Sequence, residues 1–264
     1  MTDPFFAFDW YFTDVSERDA ARHHALADRP LETRVLRVSV IVDLYPLSAL
    51  WTELPQNHPV AELWLESQTD LLATIYPAYG GFFRQSFTIL RAWFEIAVHG
   101  VFFAAHYGQT SGRYEQWRRG QRNAPAKMRE LAKSFASRGD KLLQVDEQAI
   151  LGKLDPVYSF LSLQAHAKGL DIYDLQEGRD NVPRYLPKSY DLWYTKMLEA
   201  FAALCFLYRL YYSREIAAYL SKAPAELNRA RELTGSLSGL VPDFVDLMVD
   251  AFSVLGAALS SRVE

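Results

Sequence analysis

Along most of this chain the apolar residues recur every three to four positions, the period of a helix with one face in a core. TDVSERDAARHHALADRP offers Thr13 and Ser16 as caps, followed by a polar helix that ends before Pro30. RVLRVSVIVDLY, residues 34–45, is ambiguous. Its β-branched residues and partial alternation suit a strand, while a helix ending near Pro46 fits equally well. NHPVAELWLESQTDLLATIY predicts a helix that opens near Pro59 and stops or kinks at Pro77 and the Gly80–Gly81 pair. A long apolar helix follows from about Phe82 to His106, with Gly108 as its C-terminal stop.

Beyond it, SGRYEQWRRGQRN and APAKMRELAKSFASRG predict two shorter helical pieces. LDPVYSFLSLQAHAKG reads as a helix capped by Asp155, with Pro156 in its first turn and Gly169 at its end. DIYDLQEGRDNVPRYLPKS is turn-rich and reads as a long surface loop. Ser189 then caps a second long apolar helix, YDLWYTKMLEAFAALCFLYRLYYSREIAAYL, and VPDFVDLMVDAFSVLGAALSS forms the last. The expected fold is all-α, an antiparallel helical bundle with long central helices. The whole of 1–264 reads as one domain, with 1–58 an N-terminal extension that packs separately.

The 264 residues suffice for a sizeable core, and half of them are hydrophobic. A net charge of -4 argues against a protein that coats nucleic acid over its whole surface. The one cysteine, Cys205, lies in the apolar run FAALCFLY and reads as a small core residue. The acidic start MTDPFFAFDWYFTD does not read as a signal peptide. No apolar run reaches the roughly 18 uninterrupted residues that span a bilayer, so no membrane partner and a cytoplasmic location are expected.

The long apolar helix carries a polar row. Arg91, Glu95 and His99 stand at i, i+4 and i+8, extended by Arg84 and His106. A buried charge needs a partner, so the row pairs with itself, faces complementary groups or lines a wet cleft. Tyr158, Ser162 and His166 repeat the same spacing on another apolar helix. Two such rows facing each other either lock helix register as a satisfied network or form a ligand or catalytic site. His166, at a helix end beside the long loop, is the strongest single candidate.

LRAWFE followed downstream by YSFLSLQAHAKG resembles an uncharacterised branch of helical proteins related to the HEPN superfamily, over about residues 80–215. The resemblance implies an antiparallel helical bundle. It also implies a metal-independent ribonuclease of a defence or toxin–antitoxin system, often dimeric with a composite site, or an inactive binding module. In the superfamily's usual signature an arginine precedes a histidine by four to six residues. Seven residues lie between Arg91 and His99, and the matching spelling is RDAARHH, with Arg18, Asp19, His23 and His24 in the N-terminal segment. In the chemistry implied, His99 or His166 exchanges a proton with a ribose hydroxyl or leaving oxygen while Arg91 stabilises developing negative charge.

RYEQWRRGQRNAPAKMRELAKSFASRGDK, within 113–141, is locally basic. Arg118, Arg119, Arg122 and Lys127 are its candidate phosphate contacts for RNA or a nucleotide, with Tyr114 and Trp117 as stacking platforms. The alternative is a solvated face paired with acidic groups. His23, His24, His58, His99, His106 and His166 show no metal spacing, and neither a phosphate-cradling glycine loop nor a nucleophile elbow is present, so neither metal nor cofactor is expected. PFFAFDWYF reads as a strap on the bundle or a homodimer contact. Three readings stand: an RNA-cleaving effector, a non-catalytic interaction or regulatory module, and a small-molecule sensor.

Overall fold

His58 begins the first helical hairpin: its side chain accepts the Val60 N–H, and Pro59 follows where a missing N–H does no harm. Helix α1 (Pro59–Tyr79) closes on Gly80, with Pro77 in its last turns, and Gly81 at φ 78° reverses the chain into α2 (Phe83–Ala104). A left-handed residue at that corner is what glycine tolerates and other residues resist. Hydroxyls stitch the hairpin together. Thr74 Oγ1 donates to the Ser86 carbonyl at 2.7 Å, Ser86 Oγ donates to the Thr74 carbonyl at 2.6 Å, and the Trp193 indole donates to Thr74 Oγ1 at 3.1 Å. Further along, Gly100 lets the helices touch: a Cβ there would stand 3.3 Å from the Pro59 carbonyl oxygen and from Val60 Cα.

The structure is a computed structural model that describes residues 50, 52–105, 107, 112–121, 127–166, 187–237 and 239–260. After the hairpin come α3 (Arg113–Arg118), α4 (Met128–Ser137), α5 (Glu147–Ala165), α6 (Pro187–Tyr211), α7 (Ser213–Lys222), α8 (Pro224–Leu237) and α9 (Pro242–Ser260). Among the described residues there are nine helices and no strand, so the fold is all-α. Helix α2 is the centre, packed on α1, α4, α5 and α6, while α7 and α9 pack on α6 and α8 packs on α7 and α9. One contiguous core joins Trp93, Phe94, Phe103, Phe135, Trp193, Phe201, Tyr208 and Phe244. By length and composition α2 could cross a membrane, and twelve of its residues between Phe83 and Phe103 are buried against protein.

Several expected boundaries move. Helix α5 starts at Glu147, eight residues before the expected cap at Asp155, because the Asp146 side chain accepts the Ala149 N–H at 2.8 Å. Pro156 therefore lies inside a helix. It frees the carbonyl of Gly152, which is exposed and has open space around it, so water can satisfy the oxygen. Ser189 sits within the first turn of α6, which begins at Pro187 rather than after a serine cap. The expected single helix through Leu220 breaks at Tyr212, whose φ of -126° leaves the helical region while its ring stays buried. Helix α8 has no counterpart among the expected elements, because PAELNRARELTGSL shows little apolar periodicity. The turn-rich loop as far as 186, His106, Gly108, Gly169 and all of 1–49, including RDAARHH and PFFAFDWYF, lie outside the described residues, while the loop's expected end, Pro187 to Ser189, is the first turn of α6.

Candidate functional site

The two polar rows meet. Arg91 projects from α2 and turns toward Glu95 one turn on, with Nε at 3.0 Å and Nη2 at 2.9 Å from the same oxygen, Oε1. From α5, the Tyr158 hydroxyl accepts from Arg91 Nη2 at 3.3 Å, and the Tyr158 ring centroid is 5.3 Å from the guanidinium carbon. At the C-terminal cap of α5, His166 places Nε2 3.1 Å from Arg91 Nη1. A guanidinium only donates, so this contact makes His166 Nε2 an acceptor and puts the ring proton on Nδ1.

Arg91 and Glu95 keep 20% and 28% of their side-chain surface, and His166 is exposed, so the cluster opens to solvent along one edge. Burial acts to lower the Arg91 pKa, but the charge and hydrogen bond of Glu95 and the neighbouring Tyr158 outweigh it and hold the guanidinium above its ordinary value. Arg91 stays protonated throughout the physiological range. Ser162 lies half-buried on the same α5 face, one turn from both Tyr158 and His166. His99 is different: the helical rise sets its Cα about 12 Å along α2 from that of Arg91, and its ring packs beside Phe103 at 6.3 Å. The site thus gathers Arg91, Glu95, Tyr158 and His166, with Ser162 beside them, and leaves His99 further along.

The basic segment separates into inward and outward parts. Arg118 pairs with Glu62 at 3.1 Å and Glu115 at 3.4 Å, and Arg119 reaches Glu115 at 4.0 Å. Arg113 covers the Phe102 ring at 4.6 Å. The expected stacking platforms are turned inward too: Tyr114 is buried, and Trp117 packs on Phe103 and Tyr114 at 5.1 and 6.0 Å. The aromatic faces sought for bases stack on each other, since apolar area gains more from the core than from water. Lys127, Arg129 and Lys133 do face solvent on α4, while Arg122 lies outside the described residues.

A second polar cluster escaped the sequence reasoning. Arg138, 9% exposed, donates to the Val101 carbonyl at 2.9 Å at the end of α2, chelates Asp140, and lies 3.9 Å over the Tyr211 ring. Tyr211 in turn donates to the Phe135 carbonyl at 2.8 Å. His58 stands nearby, its ring 4.8 Å from Tyr107 and 6.4 Å from Tyr212. Burial first, and then the Arg138 charge, lower the His58 pKa to about 4, so it caps α1 as a neutral ring. Burial also pushes the Tyr211 and Tyr212 hydroxyls above their ordinary range. The one signal in the sequence was a histidine directly before the proline that opens a helix. Among the described residues no group of three or more His, Cys, Asp or Glu side chains is placed to hold a metal ion.

Comparison with models of known families, with curated proteins and with solved structures finds no match to this chain.

Proposed function

We propose that the chain is a HEPN-like helical effector that binds RNA at the Arg91–Tyr158–His166 edge and cleaves it by acid–base chemistry. One observation carries this reading: a guanidinium, a phenol and an imidazole nitrogen meet within 3.1–3.3 Å on a solvent-open edge between two core helices. A phosphodiester entering there takes donors from Arg91 and Tyr158. His166 Nε2 then accepts the ribose 2′-hydroxyl proton as the 2′-oxygen attacks phosphorus. The bond to the 5′-oxygen breaks, that oxygen takes a proton from water, the resulting hydroxide takes the proton back from His166, and Arg91 stabilises the charge that builds on the non-bridging phosphate oxygens. The products are a 2′,3′-cyclic phosphate and a free 5′-hydroxyl. A role in defence or a toxin pair, a cytoplasmic location and a homodimer belong to this same reading.

A second reading has its own observation. Glu95 already takes two of Arg91's donors, which is what a network that only fixes the register of α2 against α5 requires. Incubating the full chain with a mixed RNA pool and chelator separates the two. The first reading expects cyclic-phosphate products that vanish in Arg91→Ala and His166→Ala. Absent cleavage, or cleavage unchanged in both variants, refutes it and leaves the register network of a non-catalytic module. His166 is exposed, so its loss leaves the fold intact as an internal control.

A further inference from the structure

The outward face of α4 is basic. Its inward residues, Met128, Leu131, Ala132 and Phe135, are buried in the core, while Lys127, Arg129 and Lys133 face solvent with Glu130 among them. Three cations thus meet water beside one carboxylate, and none of the three makes an ion pair among the described residues. By contrast Arg118 pairs with Glu62, Lys153 with Asp243, Lys196 with Glu199, Arg209 with Asp246 and Asp250, and Lys222 with Glu53. An uncompensated basic stripe in a chain of net charge -4 marks a place where negative charge arrives from outside. The stripe lacks the exposed apolar side chains that would insert into a lipid surface, since the apolar residues of α4 are spent in the core. It also lacks an aromatic ring for a base to stack on.

We infer that this face is a second contact for a single RNA strand, a track of phosphate-binding cations that leads into the Arg91–Tyr158–His166 edge; it rests on the reading of that edge as an RNA site. Arg138, directly after α4, donates to the Val101 carbonyl, which fixes the C-terminal end of α4 beside that of α2. Helix α5 follows from Glu147 and brings Tyr158 and His166 to Arg91. The ten residues of α4, packed on α5 and α2, span about 15 Å, the same rise that separates Val101 from Arg91. The first turn of α4, with Lys127 and Arg129, therefore comes level with the Arg91 edge, and Lys133 follows one turn behind Arg129. Cations so spaced take successive phosphates. With no side chain to read or stack a base, they hold the strand by its backbone, whatever its sequence. The substrate class that follows is an unstructured strand extending several nucleotides beyond the scissile bond.

Titrating a fluorescently labelled oligo(U) strand with the full chain over a salt series, with chelator present, tests this. The double variant Arg129→Gln, Lys133→Gln removes two exposed charges and leaves the buried face of α4 as it is. It should weaken oligo(U) binding about tenfold or more at low salt and reduce the salt slope by about 1.4, or about 0.7 for each lost phosphate contact. The charge-matched pair Arg214→Gln, Arg231→Gln changes exposed positions on α7 and α8 and should leave both quantities unchanged. In cleavage assays the α4 variant should raise KM for oligo(U) at unchanged kcat, while UpU, too short to reach α4, is cleaved as by the wild type. Equal oligo(U) binding by the wild type and the α4 variant overturns the inference. So does an equal loss in the α7–α8 pair, or a loss seen only with phosphatidylserine vesicles. Cleavage whose KM ignores the α4 variant overturns the track and leaves the Arg91 site standing. Binding that depends on α4 without any cleavage supports the track and refutes the nuclease.

Discussion

Acid should unfold this protein partly through His58, and the effect can be isolated. The imidazole caps α1 by accepting the Val60 N–H through Nδ1 at 3.3 Å, a bond that exists only while Nδ1 is unprotonated. Burial and Arg138 hold its pKa near 4 in the fold, against 6.5 for the free side chain. Between those two values the unfolded chain binds a proton that the folded chain refuses, so stability is full above about pH 6.5 and is lost as pH falls toward about 4. At about 1.4 kcal/mol per unit the whole shift would amount to about 3 kcal/mol; solvent reaching the half-buried ring reduces it to about 1–2 kcal/mol. His58→Asn keeps a capping side chain and removes the titration. Urea unfolding of both proteins between pH 7.5 and 4.5 isolates the term, because every other titrating group is common to the pair. With a urea slope of about 3 kcal/mol/M, the wild-type midpoint should fall by about 0.3–0.6 M more than that of His58→Asn. Parallel midpoints across the range would refute the reasoning.

Other outcomes follow from the same packing. Gly100→Leu forces a side chain against the backbone of Pro59 and Val60 and should lower stability by about 1–3 kcal/mol or more, read as a drop in Tm. Arg138→Met removes the charged hydrogen bond to the Val101 carbonyl and the stack on Tyr211, costing about 2–4 kcal/mol; in the surviving fold NMR titration should show the His58 pKa rising toward 6.5. Cys205 is 1% exposed with its thiol pKa pushed well up by burial, so it should resist thiol reagents until the protein unfolds. Glu95→Gln frees Arg91 from its counter-ion and should tighten RNA binding severalfold at low salt, whereas Arg91→Ala weakens it; equal affinities in all three proteins would assign the cluster to packing alone.

What the sequence by itself determined was periodic and local. Apolar spacing marked α2 and both ends of α1, since a stripe of the right period has one conformation that buries it. It also marked the Arg91–Glu95 pair, a contact within a single helix turn. Where local signals competed, the tertiary structure chose. Asp155–Pro156 reads as a helix start, but Asp146 caps the helix instead, and α5 packs on α2, α4 and α6. The meeting of Arg91 with Tyr158 and His166 joins residues 67 and 75 positions apart, a juxtaposition that no local period encodes. Arg138 shows the same limit from the other side. In sequence it is one of many cations in a basic run, but the end of α2 offers a carbonyl and α6 a tyrosine face, and those neighbours turn it into the core. Charge in a sequence is a sum, whereas its role depends on which dipoles and rings the fold brings within reach.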